Sequence, residues 1–162
     1  MKVERILIPL DGSNLAEAAI PTALDLANGR PATLLLLRAA EAHTLPGADP
    51  TDEQVAVVSE AEQYLAALVE RLNARGITRL ETSVWYGPAA AAIIEAARLK
   101  KADLIVMSTH GRSGLGRLIL GSVTEAVLRG TTTPITVVRA PGAPLDMPAG
   151  AARPSRTEAS HV

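Results

Sequence analysis

Gly111, Gly114, Gly116 and Gly121 fall within eleven residues, and the last of them is followed by Ser122-Val123 at what reads as the start of a helix. Glycine lets a backbone turn through positive φ and lets N–H groups approach a ligand with no Cβ in the way. A helix N-terminus adds unpaired N–H donors and about half a positive charge. Together these features make a phosphate cradle that needs no lysine. The same residues also suit a loop merely shaped by glycine, with Ser122 as helix cap and Glu125 completing a capping box. Spacing alone does not separate the two. A second turn, Asp11-Gly12-Ser13, carries a carboxylate that either accepts hydrogen bonds from a ligand or satisfies the N–H groups of its own turn.

Better-known nucleotide and catalytic patterns do not fit. Gly111-x4-Gly116 opens like a P-loop, but Arg117-Leu118 stands where Lys and Ser/Thr are required. Gly114-x-Gly116 opens a dinucleotide fingerprint, but Ile119 occupies the third glycine position. A phosphate receiver would need a second acid beside Asp11 and an Asp closing the third strand, which instead ends in Trp85-Tyr86-Gly87. His110 has no Ser–His–acid spacing around it, Arg112 and Arg117 suit solvent slightly better than phosphate, and Trp85 suits packing at a strand end. With no general base and no P-loop lysine, the expectation is binding with slow or absent turnover rather than catalysis.

Both turns lie at the carboxyl ends of strands. Val3 to Leu10 is apolar on both faces through Ile6, Leu7, Ile8 and Leu10, and Ala32 to Ala39 contains four consecutive leucines, Leu34 to Leu37. Continuous rather than alternating apolarity marks strands covered on both sides. Further strands are expected at Leu80–Tyr86, Asp103–Met107 and Pro134–Arg139. Between them the periodicity predicts helices over Leu15–Ala27 (opened by an Asn14/Glu17 capping box and closed by Asn28-Gly29), from Thr51 to a stop at Gly76 (Thr51/Gln54 box), after Gly87-Pro88 with proline in the first turn, and over Ser122–Arg129. The resulting β-α-β-α-β-α-β-α-β order implies an α/β fold. Its five-stranded parallel sheet is doubly wound, with helices on both faces in a Rossmann-like or flavodoxin-like order, and ligands sit at the carboxyl edge where the winding reverses. The domain is expected to span residues 1–139. Residues 140–162, with Pro141, Pro144, Pro148 and Pro154 among alanines and no apolar period, read as a flexible tail.

The remaining composition narrows the function classes. Sixteen basic against 17 acidic residues give a net charge of -1, which disfavours nucleic-acid and anionic-membrane partners. No Phe, two Tyr and one Trp leave no base-stacking platform. No cysteine and three scattered histidines leave little for a disulfide framework or a metal cluster. The amino end has no export signal and no apolar run reaches a membrane span, so a cytoplasmic protein is expected.

Three separated motifs, in order over residues 3–139, resemble the universal stress protein family. They are Ile6 to Ser13 (Ile-x-Ile-Pro-Leu-Asp-Gly-Ser), Met107 to Leu115 with Leu120-Gly121-Ser122-Val123, and Pro134 to Arg139. The ATP-binding members carry Gly-x2-Gly-x9-Gly-Ser/Thr, and Gly111, the nine residues 112–120, and Gly121-Ser122 match it. Ser108 replaces the first glycine, a change that would cost about 1–2 kcal/mol if the position demanded positive φ. The resemblance implies an ATP site, with or without Mg²⁺, built from Pro9, Asp11, Ala39, Ser108, Gly111, Gly121, Ser122 and Val123. In it Asp11 takes the ribose hydroxyls, the Ala39 backbone reads the adenine edge, and Gly111, Gly121, Ser122 and Val123 hold phosphates. It further implies a homodimer paired through the edge strand Pro134–Arg139. A nucleotide-free dimeric interaction module of the same family, or a slow ATPase or self-phosphorylating enzyme, are the alternatives.

Overall fold

The computed structural model describes residues 2–42, 49–109 and 121–139. All five expected strands are present, as β1 (Arg5–Leu10), β2 (Thr33–Ala40), β3 (Leu80–Tyr86), β4 (Leu104–Ser108) and β5 (Ile135–Val138). They form one parallel sheet in the order β3-β2-β1-β4-β5. This is the Rossmann rather than the flavodoxin order, with the winding reversed between β1 and β4. Helices α1 (Asn14–Glu17) and α2 (Ala19–Ala27) follow β1, α3 (Pro50–Asn73) follows β2, α4 (Ala89–Leu99) follows β3 and α5 (Ser122–Gly130) follows β4.

The apolar runs are continuous because each face of the sheet has its own core. Ile6, Ile8, Leu10, Leu34, Leu36, Leu104 and Val106 pack under α2 and α3, against Ile20, Ala23, Leu65, Leu68 and Leu72. Their neighbours Leu7, Leu35, Leu37, Ile105 and Met107 pack on the other face, against Ile93, Ala96 and Ala97 of α4 and Val127 of α5. Among the described residues no helix is long and apolar enough to cross a membrane.

The helix ends differ from expectation in instructive ways. The helix expected over Leu15–Ala27 is split at Ala18. Pro21 has no N–H for the Glu17 carbonyl, and its ring crowds that carbonyl, so one continuous helix cannot run through it. Ser13, not Asn14, is the N-cap, its hydroxyl accepting from Ala16 N–H at 3.2 Å. Asp49 rather than Thr51 caps α3, accepting from Thr51 N–H at 2.8 Å. Pro88 is itself the cap position of α4, with ψ at 131°. Asn28, at φ 51°, supplies the left-handed stop expected after α2.

At the amino ends of the strands a charge cluster ties three elements together. Glu81 of β3 accepts from Lys100 Nζ at 2.6 Å and from Arg5 Nη2 at 2.9 Å, and Arg5 Nε donates to the Lys100 carbonyl at 2.7 Å. The hydrogen bond from Lys100 holds the Glu81 carboxyl below its ordinary range; partial burial opposes this and Arg5 adds to it. A carboxyl whose pKa is lower in the folded than in the unfolded chain contributes stability above its unfolded value and loses it as pH falls through its folded value. Glu81→Gln is therefore expected to lower the unfolding free energy at pH 7, by under about 1 kcal/mol because the group is partly exposed. The difference from the parent should close below about pH 4. Urea titrations of both proteins at pH 7 and pH 3 read this directly, and equal gaps at both values would contradict it.

Candidate functional site

Pro9 decides the shape of the carboxyl edge. Thr33 N–H donates to the Glu4 carbonyl on the β2 side, and Asp103 N–H donates to the Arg5 carbonyl on the β4 side. Backbone groups of the odd-numbered β1 residues therefore face β4, and Pro9, which has no N–H, is one of them. The β1–β2 register runs unbroken from Arg5↔Thr33 to Leu10↔Arg38. The β1–β4 register stops after Ile6↔Leu104 and Leu7↔Ile105, where the next rung would need the Pro9 donor. On its other side β4 stays paired to its last residue, Ser108↔Val138, and Thr109 N–H donates to the Val138 carbonyl at 2.9 Å. The β1–β4 ladder is therefore open at its carboxyl end, at the point where the winding reverses and where open α/β sheets form their binding crevice.

Two turns flank it. On the β1 side, Asp11 Oδ1 accepts from Ser13 N–H at 2.9 Å and from the Ser13 hydroxyl at 2.5 Å, so this oxygen shapes its own turn. Gly12 carries φ +85°, a left-handed conformation that favours glycine. On the β4 side, Gly121 immediately precedes α5, and a Cβ there would stand 3.0 Å from the Thr109 carbonyl oxygen. Its φ of −52° suits any residue, so the close approach to β4 is what selects glycine. Ser122 is the first helical residue rather than the cap, and Glu125 pairs with Arg129 at 2.5 Å rather than closing a capping box. With glycine at the cap, no side chain there takes up the N–H donors of the first turn.

The Asp11 turn is braced from the far side. Glu17 at the end of α1 accepts from the Tyr64 hydroxyl at 2.9 Å and from both Arg71 Nη atoms at 3.1 and 2.8 Å. Burial pushes the Tyr64 phenol up, with the hydrogen bond to Glu17 and the charges of Glu17 and Asp11 adding to the shift. Arg71 is exposed, yet it pins α1 to α3.

Of the residues expected at the site, Pro9 and Asp11 lie at the carboxyl end of β1, Ser108 at that of β4 and Gly121, Ser122 and Val123 at the start of α5, while Ala39 lies one strand away near the end of β2, opposite Trp85 of β3. Gly111, with His110, Arg112, Gly114, Gly116 and Arg117, lies outside the described residues, as does the segment 140–162. Arg38 was missed. It interrupts the apolar run of β2 one residue before Ala39, and that interruption is the signal sequence reading could have used.

The model of the universal stress protein family matches residues 2–139. The chain belongs to the universal stress protein family. It is 33% identical over 142 residues to a universal stress protein of Methanocaldococcus jannaschii, covering 85% of this chain and 83% of that one. It is 34% identical over 134 residues to one of Thermus aquaticus, covering 83% and 97%. Among solved structures the fold matches a universal stress protein UspA from Lactobacillus plantarum with a TM-score of 0.73 at 23% identity, over 86% of this chain and 99% of that one. It also matches a universal stress protein in complex with cAMP, with a TM-score of 0.64 at 25% identity over 85% and 98%. A family member from Arabidopsis thaliana with AMP bound matches with a TM-score of 0.62 at 14% identity, over 86% and 93%.

In this universal stress protein the serine at position 108 carries no backbone strain. Among the described residues only Asn28 and Lys101 are non-glycines with positive φ, and Ser108 is an ordinary member of β4. Restoring an N–H at position 9 tests the origin of the crevice. Pro9→Ala lets β1 and β4 pair further, so thermal stability is expected to hold or rise, while protection of amides at the end of β4 increases in hydrogen exchange. Unchanged exchange at Val106–Ser108 would contradict the role given to proline.

Proposed function

We propose that this universal stress protein holds ATP across the β1–β4 crevice and acts as a stress-response regulator whose state is set by the nucleotide, with slow or no hydrolysis. The observation that carries this reading is the pairing of an opened crevice at Pro9 with a helix N-terminus, at Gly121-Ser122-Val123, whose cap position carries no side chain. In this arrangement Asp11 takes the ribose hydroxyls, the backbone at Ala39 meets the adenine edge, and the first-turn N–H groups of α5 with the Ser122 hydroxyl take phosphate oxygens. That solved family members carry AMP and cAMP supports an adenine nucleotide here. The described residues contain no group of three His, Cys, Asp or Glu able to hold a metal alone. Mg²⁺ would therefore arrive on the phosphates, as this ion commonly does.

Regulation by binding alone requires that the ATP-bound and empty forms present different surfaces to a partner. The direct test is to denature freshly purified protein, remove it, and resolve the supernatant by anion exchange. Near-stoichiometric ATP is the expected result, and ADP in its place would point to turnover. An empty supernatant followed by a flat calorimetric titration with Mg-ATP would overturn the reading in favour of a nucleotide-free interaction module.

The second element of the proposal is a homodimer. The sheet order leaves β5 at an edge, and Ile135, Val137 and Val138 are half-buried there. An apolar edge with open backbone groups is a pairing surface unless something covers it. Pairing Pro134–Arg139 with its copy would cover it, and light scattering at micromolar concentration is expected to give twice the chain mass. A monomer mass rejects this.

A further inference from the structure

Arg5, Arg38 and Lys100 are the half-buried cations among the described residues, the others being exposed. Arg5 and Lys100 share the Glu81 carboxylate. Arg38 takes part in none of the ion pairs or side-chain hydrogen bonds of the described residues. A guanidinium does not shed its charge in a protein, and withdrawing it from water without a partner is costly. Such a group is well suited to a visiting anion.

Its position says which part of a ligand it would meet. Arg38 stands in register with Leu10 of β1 and Val84 of β3. Its Nη2 atom is 3.8 Å from the point at which a Cβ on Gly12 would stand, so the guanidinium lies against the Asp11-Gly12 turn. The helix N-terminus at Gly121 follows β4, two strands from β2 and hence about 10 Å away across the sheet. Arg38 is thus on the ribose side of the crevice, not the side of the 5′-phosphates. A carboxylate there accepts from a free ribose hydroxyl, whereas a planar guanidinium pairs bidentately with a phosphate on that oxygen. Dinucleotide-binding sheets divide the same labour between an acid and a nearby arginine.

We propose that Arg38 is a specificity-determining residue that favours adenine nucleotides bearing a phosphate on a ribose 2′- or 3′-oxygen. This rests on the nucleotide reading of the crevice given above. Calorimetric titrations with 5′-AMP, adenosine 2′,5′-bisphosphate and adenosine 3′,5′-bisphosphate test it on the full chain. One of the two bisphosphates is expected to bind at least about tenfold more tightly than 5′-AMP, as a charge-assisted pair would give. In Arg38→Gln that advantage should shrink to within about twofold while 5′-AMP affinity is kept, and Arg38→Lys should retain part of it. Equal affinities for all three ligands in the parent protein would overturn the role of Arg38 and leave the nucleotide site standing. Loss of 5′-AMP binding in Arg38→Gln to the same degree as the bisphosphates would also overturn it, since Arg38 would then act on the whole site. Binding of none of the three would overturn the role of Arg38, and a titration with Mg-ATP then separates that failure from loss of the nucleotide site itself.

Discussion

In the middle of a parallel sheet every backbone donor normally has a neighbour, and a strand that lacks one must part from the next. Pro9 puts that lack on the β4 side of β1, at the level where the chain leaves the sheet. The carboxyl-edge features described here follow from the parting. The Asp11 turn can rise on one lip of the crevice, and on the other Gly121 can bring the start of α5 so near the Thr109 carbonyl that a Cβ would stand 3.0 Å from its oxygen. A residue able to donate at position 9 would favour a closed edge with the same core and the same helices.

Much of the fold is visible in the chain because burial on both faces writes itself as unbroken apolar runs. Leu34 to Leu37 and Leu104 to Met107 have no polar face to alternate with, and their two-sided packing is what the structure contains. Helix ends are less legible for a local reason. In Ser13-Asn14 and Asp49-Pro50-Thr51 more than one residue can cap, and only backbone geometry decides which side chain reaches an N–H. The split at Ala18 was legible in Pro21, whose missing donor is as much a fact of sequence as that of Pro9.

The candidate site divides along the same line. Asp11, Gly121 and Ser122 announce themselves through turn chemistry and glycine spacing. The Tyr64–Glu17 and Arg71–Glu17 contacts join residues 47 and 54 positions apart, and no local pattern marks them. Arg38 sits between these cases: its charge is conspicuous in an apolar strand, but its lack of a carboxylate partner appears only once the neighbouring elements are in place. Membership of the universal stress protein family adds a context for these features without replacing the physical reasons for each.

The short β1–β4 ladder also has a mechanical meaning. The sheet consists of a long-paired block, β3-β2-β1, and a second block, β4-β5, joined by two rungs near their amino ends. Helices α1 and α2 lie across this seam, touching both β1 and β4. Torsion between the blocks therefore concentrates at the open end of the seam, where the sheet is least stiff and where the two lips stand. A molecule gripping both lips would act there as a cross-brace, setting the twist of the sheet and with it the angle at which the outer strand β5 is offered to its surroundings.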